Sequence, residues 1–320
     1  MAEIDCIAGA ERDFIAGAER DFIAAQLTPL ATSAAARGLI DDAAVWTPPL
    51  GRDLVFTHDV LACGVHYLAD DPPSDIAWKL LAVNLSDLAA MGATPAGVLL
   101  GLAMSAAEDD RWRSDFTAGL GRALAAFGVA LWGGDTVTGL DRAVLGLTAI
   151  GHVAPGQALG RHGARAGDDI WVSGIIGEAG RGLAVARGDA PFDTTLRNRF
   201  RRPTPRLALG AALVGAASAC IDVSDGLLID ADRVARASGV RLAIALDAAP
   251  VSGPALTAVT AGDDYELLFT AAPDADIALR AAAARTPVTR IGTVTAGTGV
   301  AALAADGSDV TPARLGWEHR

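Results

Sequence analysis

Three observations predict a two-domain protein of the α/β (α+β) class. The chain has 320 residues, about twice the roughly 150 of a typical domain. Hydrophobic residues make up 51% of it, which is ample for buried cores. From Gly51 onward, short apolar strand-like runs alternate with amphipathic helix-like ones, the pattern of layered α/β units.

The elements follow in order. Leu54 to Thr57 reads as a strand ending at Asp59. Pro72 and Pro73 precede Ser74, which is placed to cap a helix reaching about Met91, with apolar residues at Ile76, Leu80, Leu81 and Val83. Leu88 to Ala107 is uncharged and long enough to span a bilayer. Gly92, Pro95, Gly97 and Gly101 break it, however, and Gly-Ala-Thr-Pro reads as a loop between two buried elements. Val98 to Met104 is then a strand and Trp112 to Phe127 a helix. Val129 to Trp132 is a strand running into Gly133-Gly134-Asp135, and Val144 to Val153 another. The glycine-rich, charged run Ala158 to Asp169 is the expected boundary, dividing domains 1–157 and 158–320. Ile170 to Ser173 follows as a strand, and the turn Gly174 to Gly180 opens a helix, where backbone N–H groups can face an anion. The alternation continues with a helix around Pro205 to Ala217, strand Ala219 to Val223 and helix Leu227 to Ala237. Strands Arg241 to Ala245 and Glu266 to Thr270 complete it.

Charge and composition exclude several functions. Lysine plus arginine number 26 against 38 aspartate plus glutamate, a net charge of −12. Nucleic acids and anionic membranes both call for a basic surface, so neither is an expected partner. Cys6, Cys63 and Cys220 are widely spaced with no Cys-x-x-Cys, which argues against a disulfide framework or thiolate zinc site and fits the reducing cytoplasm. The acidic N-terminus does not resemble a signal peptide. Lys79 is the only lysine and follows Trp78, not a glycine. Neither a P-loop nor a protein-kinase lysine with its H-R-D loop is present. The run IAGAERDF occurs at Ile7 to Phe14 and again at Ile15 to Phe22; two eight-residue copies read as a local duplication lengthening an N-terminal helix, not a solenoid.

The informative feature is the placing of the acids. Asp42, Asp59, Asp135, Asp222 and Asp264 lie beside the ends of apolar runs, and Asp87 lies inside an apolar helix. Basic residues are scarce nearby: Asp53 to Asp75 contains no lysine or arginine. An unpaired buried carboxylate is costly, so such a set suggests hard divalent cations with oxygen ligands. Asp222-Val-Ser-Asp225-Gly226 is the sharpest instance, with two carboxylates and a hydroxyl at a strand end. Asp135 after two glycines has the same logic, because glycine lets backbone approach a phosphate. The competing reading is that each aspartate caps a helix or shapes a turn. Magnesium on carboxylates completes its shell with phosphate oxygens and water, and phosphoryl transfer depends on positioning and charge neutralisation. No serine-hydrolase elbow or His-Glu-x-x-His is present, and His66 reads either as a substrate contact or as structural.

Several segments together resemble the thiamine-monophosphate kinase family. They are Thr28-Pro-Leu-Ala31, Asp41-Asp42-Ala-Ala, Thr57-His58-Asp59 with Gly64-Val65-His66, and the run KLLAVNLSDLAAMGATP from Lys79 to Pro95. Gly133 to Thr136 (GGDT), Asp222 to Leu227 (DVSDGL), Asp263 to Thr270 (DDYELLFT) and the GWEH beginning at Gly316 complete the set. The resemblance spans nearly the whole chain in the right order. It implies a two-domain fold like that of aminoimidazole ribonucleotide synthetase, in a homodimer formed by the N-terminal domain. It also implies direct, in-line, magnesium-assisted transfer of the ATP γ-phosphoryl group to thiamine monophosphate, giving thiamine diphosphate. Carried over by motif, the Mg2+ ligands are Asp42, Asp59, Asp87, Asp135, Asp222 and Asp225, with Asp225 and Asp135 nearest the chemistry. Gly134, Arg161 and Ser224 meet ATP, and His66, Asp263 and Trp317 face the thiamine phosphate.

The match has departures. Ile40 stands where the family has glycine, His58 where it has a small hydroxyl residue, Asp263 where it has glutamate, and Arg320 where an aromatic is common. Ile40 is expected to alter the approach of its loop to metal. Sibling enzymes fit less well: selenophosphate synthetase pairs a reactive Cys or selenocysteine with a lysine, and no lysine accompanies Cys6. The hydrogenase-maturation dehydratase ends in cysteine, and aminoimidazole ribonucleotide synthetase lacks the NLSDLAAMGA and GWEH combination. An inactive thiamine-phosphate sensor, binding ATP without turnover, and a metal-dependent phosphatase are the readings from other classes.

Overall fold

The structure, a computed structural model, describes residues 19–318. Cys6, the first copy of the eight-residue repeat, the start of the second and Arg320 lie outside the described residues.

Four strands, β1 (Asp53–Ala62), β2 (Thr94–Ser105), β3 (Ala130–Leu140) and β4 (Val144–Val153), form one sheet in the order β1-β4-β2-β3. Between β1 and β2 runs helix α1 (Pro73–Ala90). It begins at Pro73 itself, a residue pre-set for the first helical turn, and not behind a Ser74 cap. Strands β2 and β3 are parallel, so the chain crosses over between them through helix α2 (Asp110–Phe127). The Asp109 carboxylate accepts the Trp112 N–H at 2.8 Å and left-handed Gly128 ends this helix, as the capping rules require. β3 continues through Gly133-Gly134-Asp135 to Leu140, so Asp135 sits within a strand and not in a turn after it. The uncharged stretch from Leu88 resolves into the end of α1, a short turn and β2. Among the described residues no helix is long and apolar enough to cross a membrane.

The second sheet has six strands: β5 (Asp169–Ser173), β6 (Ala217–Asp222), β7 (Arg241–Ala245), β8 (Leu267–Ala271), β9 (Val288–Thr295) and β10 (Gly299–Leu303), ordered β10-β7-β9-β5-β8-β6. Only β10 and β7 pair in parallel; the other neighbours are antiparallel. The class is thus α/β with a strong antiparallel component. Helices α3 (Glu178–Arg187), α4 (Thr194–Arg201), α5 (Leu207–Leu213), α6 (Leu227–Ser238), α7 (Ala255–Val259) and α8 (Ile277–Ala283) follow among these strands, and a π-helical turn (Ile23–Leu27) and two 3-10 stretches (Thr28–Leu30 and Ala34–Leu39) precede β1. Alternate residues of the central strands enter different cores. Ile170, Val172, Ile221 and Leu268 join one cluster with Leu228, Val234, Leu242 and Ile291. Cys220, Leu267 and Phe269 join another with Leu209, Leu213 and Ile277. Because side chains alternate across a strand, both faces of this sheet are covered, which is why every residue of β8 is buried.

Compact units divide differently from the linear order. One comprises the chain up to Thr47, Val60–Ala77 and Gly97–Leu147; the other comprises Pro48–Asp59, Trp78–Ala96 and Thr148 onward. Leu102, Met104, Phe116, Leu120, Leu124 and Leu131 are buried in the first, and the two clusters above lie in the second.

Candidate active site

β1 supplies the first part of the site. Leu54, Phe56, His58 and Val60 are exposed on one face, and Val55, Thr57 and Asp59 alternate with them on the other. The Asp59 N–H donates to Asn84 Oδ1 at 2.9 Å, and the Thr57 hydroxyl donates to Asp87. His58 points the other way, its Nδ1 2.9 Å from Thr148 Oγ1. From the same stretch of α1 as Asp87, the Ser86 hydroxyl donates to Asp222 Oδ2 at 2.7 Å. Acids from β1, α1 and the end of β6 are therefore each tied to a neighbouring element, Asp87 and Asp222 through hydroxyl groups and Asp59 through its main-chain amide.

Their electrostatics reflect one another. Burial, followed by repulsion from Asp87 and Asp225, pushes Asp59 up to about 6. Burial raises Asp87, opposed by the Thr57 hydroxyl and the positive charge of Arg161. Asp222 is raised well above the usual range by burial and by the charge of Asp87, with the Ser86 hydrogen bond opposing. Carboxylates that hold on to protons in this way favour any other cation offered to them.

The Asp222–Gly226 turn is held from several sides. Oδ2 of the fully buried Asp230 accepts the N–H groups of Ser224, Asp225 and Gly226 at 3.1, 3.1 and 3.2 Å. The Val223 N–H donates to the Glu266 carbonyl at 2.7 Å, and the Asp263 and Tyr265 N–H groups donate to Ser224 and Val223 carbonyls at 2.8 Å. Asp263 and Tyr265 both adopt left-handed backbone, φ 69° and 50°, a conformation that is costly outside glycine. The Trp317 N–H reaches the Asp225 carbonyl at 2.9 Å. Ser224, Asp225, Asp263 and Trp317 are thus joined by main-chain hydrogen bonds.

Asp225 and Asp263 are ion-paired. Asp225 Oδ2 is 2.7 Å from Arg233. Asp263 Oδ2 is 3.2 Å from Nζ of Lys79, a side chain only 2% exposed that also lies 3.9 Å over the Phe200 ring. Scarcity of bases along the sequence therefore did not carry over to every acid: Lys79 arrives from 184 residues away. Asp264, grouped with the acids by its position, serves instead as a helix cap. Its carboxylate accepts the N–H groups of Gly177 and Ala179 at 2.6 and 3.1 Å at the start of α3, while burial pushes it up to about 7.

Asp42, Gly134, Asp135 and His66 belong to the other unit. Asp42 and Asp135 are exposed. A Cβ at Gly134 would lie 1.9 Å from the Leu100 carbonyl oxygen, so only glycine fits beside Asp135. The His66 ring accepts the Ala62 N–H at 3.1 Å. Arg161 is exposed and acts on Asp87 as noted. The roles of Asn84, Ser86, Asp230 and Arg233 were not read from the sequence. The available signal for Asn84 and Ser86 was that polar residues inside an apolar helix call for partners.

Among the described residues, no three acids, histidines or cysteines are gathered closely enough to cage a metal unaided. The donor set is nonetheless all oxygen and mutually repelling, which suits a hard cation that completes its shell with substrate phosphate and water.

The chain matches the models for the N-terminal domain of AIR synthase related protein over residues 40–153 and for its C-terminal domain over 165–304. It is 40% identical to a thiamine-monophosphate kinase of Caulobacter vibrioides, over 89% of this chain and 85% of that one. Identity to the enzyme of the same name from Escherichia coli K12 is 38%, covering 88% and 91%. Among solved structures, thiamine-monophosphate kinase from Stenotrophomonas maltophilia K279a superposes with a TM-score of 0.77 at 42% identity, covering 85% and 91%. AaThiL complexed with AMPPCP and TMP gives 0.75 at 30% identity, covering 88% and 91%. A hydrogenase maturation protein HypE in complex with ATP gives 0.80 at 19% identity over 95% of each chain, a likeness of fold alone.

Proposed function

The chain belongs to the thiamine-monophosphate kinase family, and from this we propose that it transfers the γ-phosphoryl group of ATP to thiamine monophosphate, giving thiamine diphosphate. The observation that carries the reading is the set Asp59, Asp87 and Asp222, which burial, joined by repulsion from neighbouring carboxylates at Asp59 and Asp222, holds above the usual carboxylate range. A relative solved with AMPPCP and TMP supports the substrate pair.

Asp59, Asp87, Asp222 and Asp225 would hold Mg2+, and the motif match proposes Asp42 and Asp135 as further ligands. The metal would neutralise phosphate charge and orient the transferred group, a task that P-loop enzymes share with a lysine. The chain's own residues then work by positioning. Asp225 and, by the motif match, Asp135 are the acids that would stand nearest the transferred group. Gly134 lets the main chain beside Asp135 pack against Leu100 and is proposed to meet ATP, Ser224 offers a hydroxyl and N–H, and Arg161 supplies positive charge toward ATP. His66, Asp263 and Trp317 receive the thiamine phosphate. Lys79 neutralises Asp263 and fixes its carboxylate, which limits what the missing methylene relative to glutamate leaves to chance. The departures at 40 and 58 leave the acid set intact: Ile40 has an ordinary φ of −102° and makes no demand for glycine, and His58 faces away from Asp59.

The finer proposals are a cytoplasmic homodimer, with domains 1–157 and 158–320. The matched stretches 40–153 and 165–304 flank that boundary. β1 is an edge strand with Leu54, Phe56 and Val60 exposed on one face, a surface that a second copy would cover. Light scattering behind size exclusion reads the dimer. The reaction itself is tested by incubating thiamine monophosphate, ATP and Mg2+ beside an ATP-free control. Diphosphate forming only with ATP is expected; ATP binding without diphosphate would instead mark a sensor.

A further inference from the structure

We propose that Arg233 is a built-in counter-ion of the acid set, competing with the divalent cation for Asp225 and so setting how tightly that cation is held. This rests on the reading of Asp225 as a cation ligand. Arg233 lies on α6, three residues after Asp230, and its side chain is 36% exposed. One arm of the guanidinium, Nη1, bonds Asp230 Oδ1 at 2.5 Å; the other, Nη2, bonds Asp225 Oδ2 at 2.7 Å.

These two contacts are unequal. Asp230 is fully buried, shares a helix with Arg233, and spends its other oxygen on three consecutive N–H groups of the turn. That half of the arrangement is fixed by helix geometry and burial, because breaking a buried charge pair is expensive. Asp225 is 20% exposed and belongs to the turn, so its bond to Arg233 is the half that can open toward solvent. Without a cation, the fork keeps Asp225 neutralised and in line with the turn that Asp230 holds. With a cation, Asp225 gives up all or part of this pairing, and the cation binds more weakly than it would to an unpaired carboxylate. Asp59, Asp87 and Asp222 have no ion pair among the described residues; Arg233 is therefore the one cation bonded directly to an acid of the set.

The test uses the full chain without nucleotide, titrated with MgCl2 in a calorimeter, as wild type, Arg233→Gln, Arg233→Lys and Arg236→Gln. Arg236 is the control: it stands one turn along the same helix, bonds Asp232 at 2.5 Å and is 76% exposed, so it contributes only distant charge. Arg233→Gln is expected to tighten Mg2+ binding by about three- to tenfold. Arg233→Lys should fall between it and wild type, and Arg236→Gln should change binding by less than about twofold. Hydrogen exchange gives a second readout. The amides of Ser224, Asp225 and Gly226 should exchange faster in cation-free Arg233→Gln than in wild type, and regain protection when Mg2+ is added. Equal affinity in wild type and folded Arg233→Gln, or an equal gain in Arg236→Gln, overturns the counter-ion role alone. No Mg2+ binding by wild type, either alone or with AMPPCP present, overturns the acid-set reading together with it.

Discussion

Two acid-bearing loops of this protein are built to opposite specifications. The turn Asp222–Gly226 is bound by three N–H bonds to buried Asp230, by main-chain bonds to Glu266, Asp263 and Tyr265, and by the Trp317 amide. The loop that delivers Asp42 follows Arg37, Gly38 and Leu39, all left-handed at φ 52°, 68° and 57°. It leaves Asp41 and Asp42 exposed, with an Arg37–Asp41 pair as its side-chain tie. One carboxylate loop is organised before any ligand arrives; the other carries backbone strain and little support. Preorganised groups act without reorganising when charge develops, so the clamped turn should dominate turnover and the exposed loop should tolerate change.

The largest expected effect lies in the clamped turn. Asp225→Asn keeps the shape and removes the charge, and should lower kcat by about a hundredfold to a thousandfold with a nearly unchanged melting temperature. Near-normal turnover would remove Asp225 from the metal-binding set. Next comes the clamp itself. Asp230→Ala strands three N–H groups and Arg233, and should destabilise the fold by about 3 kcal/mol in urea unfolding. Asp230→Asn, which retains an acceptor, should recover part of that loss; equal losses in both would mean that charge alone matters.

A third, smaller effect depends on pH. Asp264 stands at about 7 in the fold against 3.8 unfolded. A raised carboxyl binds its proton more tightly in the folded state, so its contribution is fully present below about 4 and is lost as pH rises through about 7. Asp264→Asn should therefore lose less stability than wild type between those limits, and parallel urea profiles for the two proteins would refute the shift. The smallest effect belongs to the exposed loop. Ile40→Gly should cost about 0.5–1 kcal/mol through the unfolded chain and leave kcat/KM within about twofold. A large gain in activity would show that the isoleucine does obstruct the Asp42 loop.

Legibility followed the range of the interactions. β4 was bounded correctly from its apolar run, and α1 within a residue or so, because each buries a continuous surface. α4 escaped notice because TTLRNRFR buries only Leu196, Phe200 and Arg201 and starts from an Asp193 cap. Strand β9, with an arginine and a glycine in VTRIGTVT, lacks the alternation that marks a half-buried strand. Within the site, the aspartates stood out by their setting at strand ends. Their partners did not, since pairing Lys79 with Asp263, or Ser86 with Asp222, is decided by tertiary contacts that no local pattern encodes. Asp264 misled for the same reason: a strand-end acid that caps a neighbouring helix looks, in sequence, like one that awaits a cation.

β1 leaves evolution little room for insertions. Its odd positions Thr57 and Asp59 serve the acid set, and its even positions Leu54, Phe56, His58 and Val60 form the exposed face. One added residue upstream of Thr57 within the strand would exchange the two faces, burying a histidine among carboxylates and turning Asp59 outward. Substitutions at the even positions can accumulate one at a time, whereas length changes there would disrupt catalysis and surface together. Homologous chains should accordingly vary in the residues of this strand far more readily than in its length.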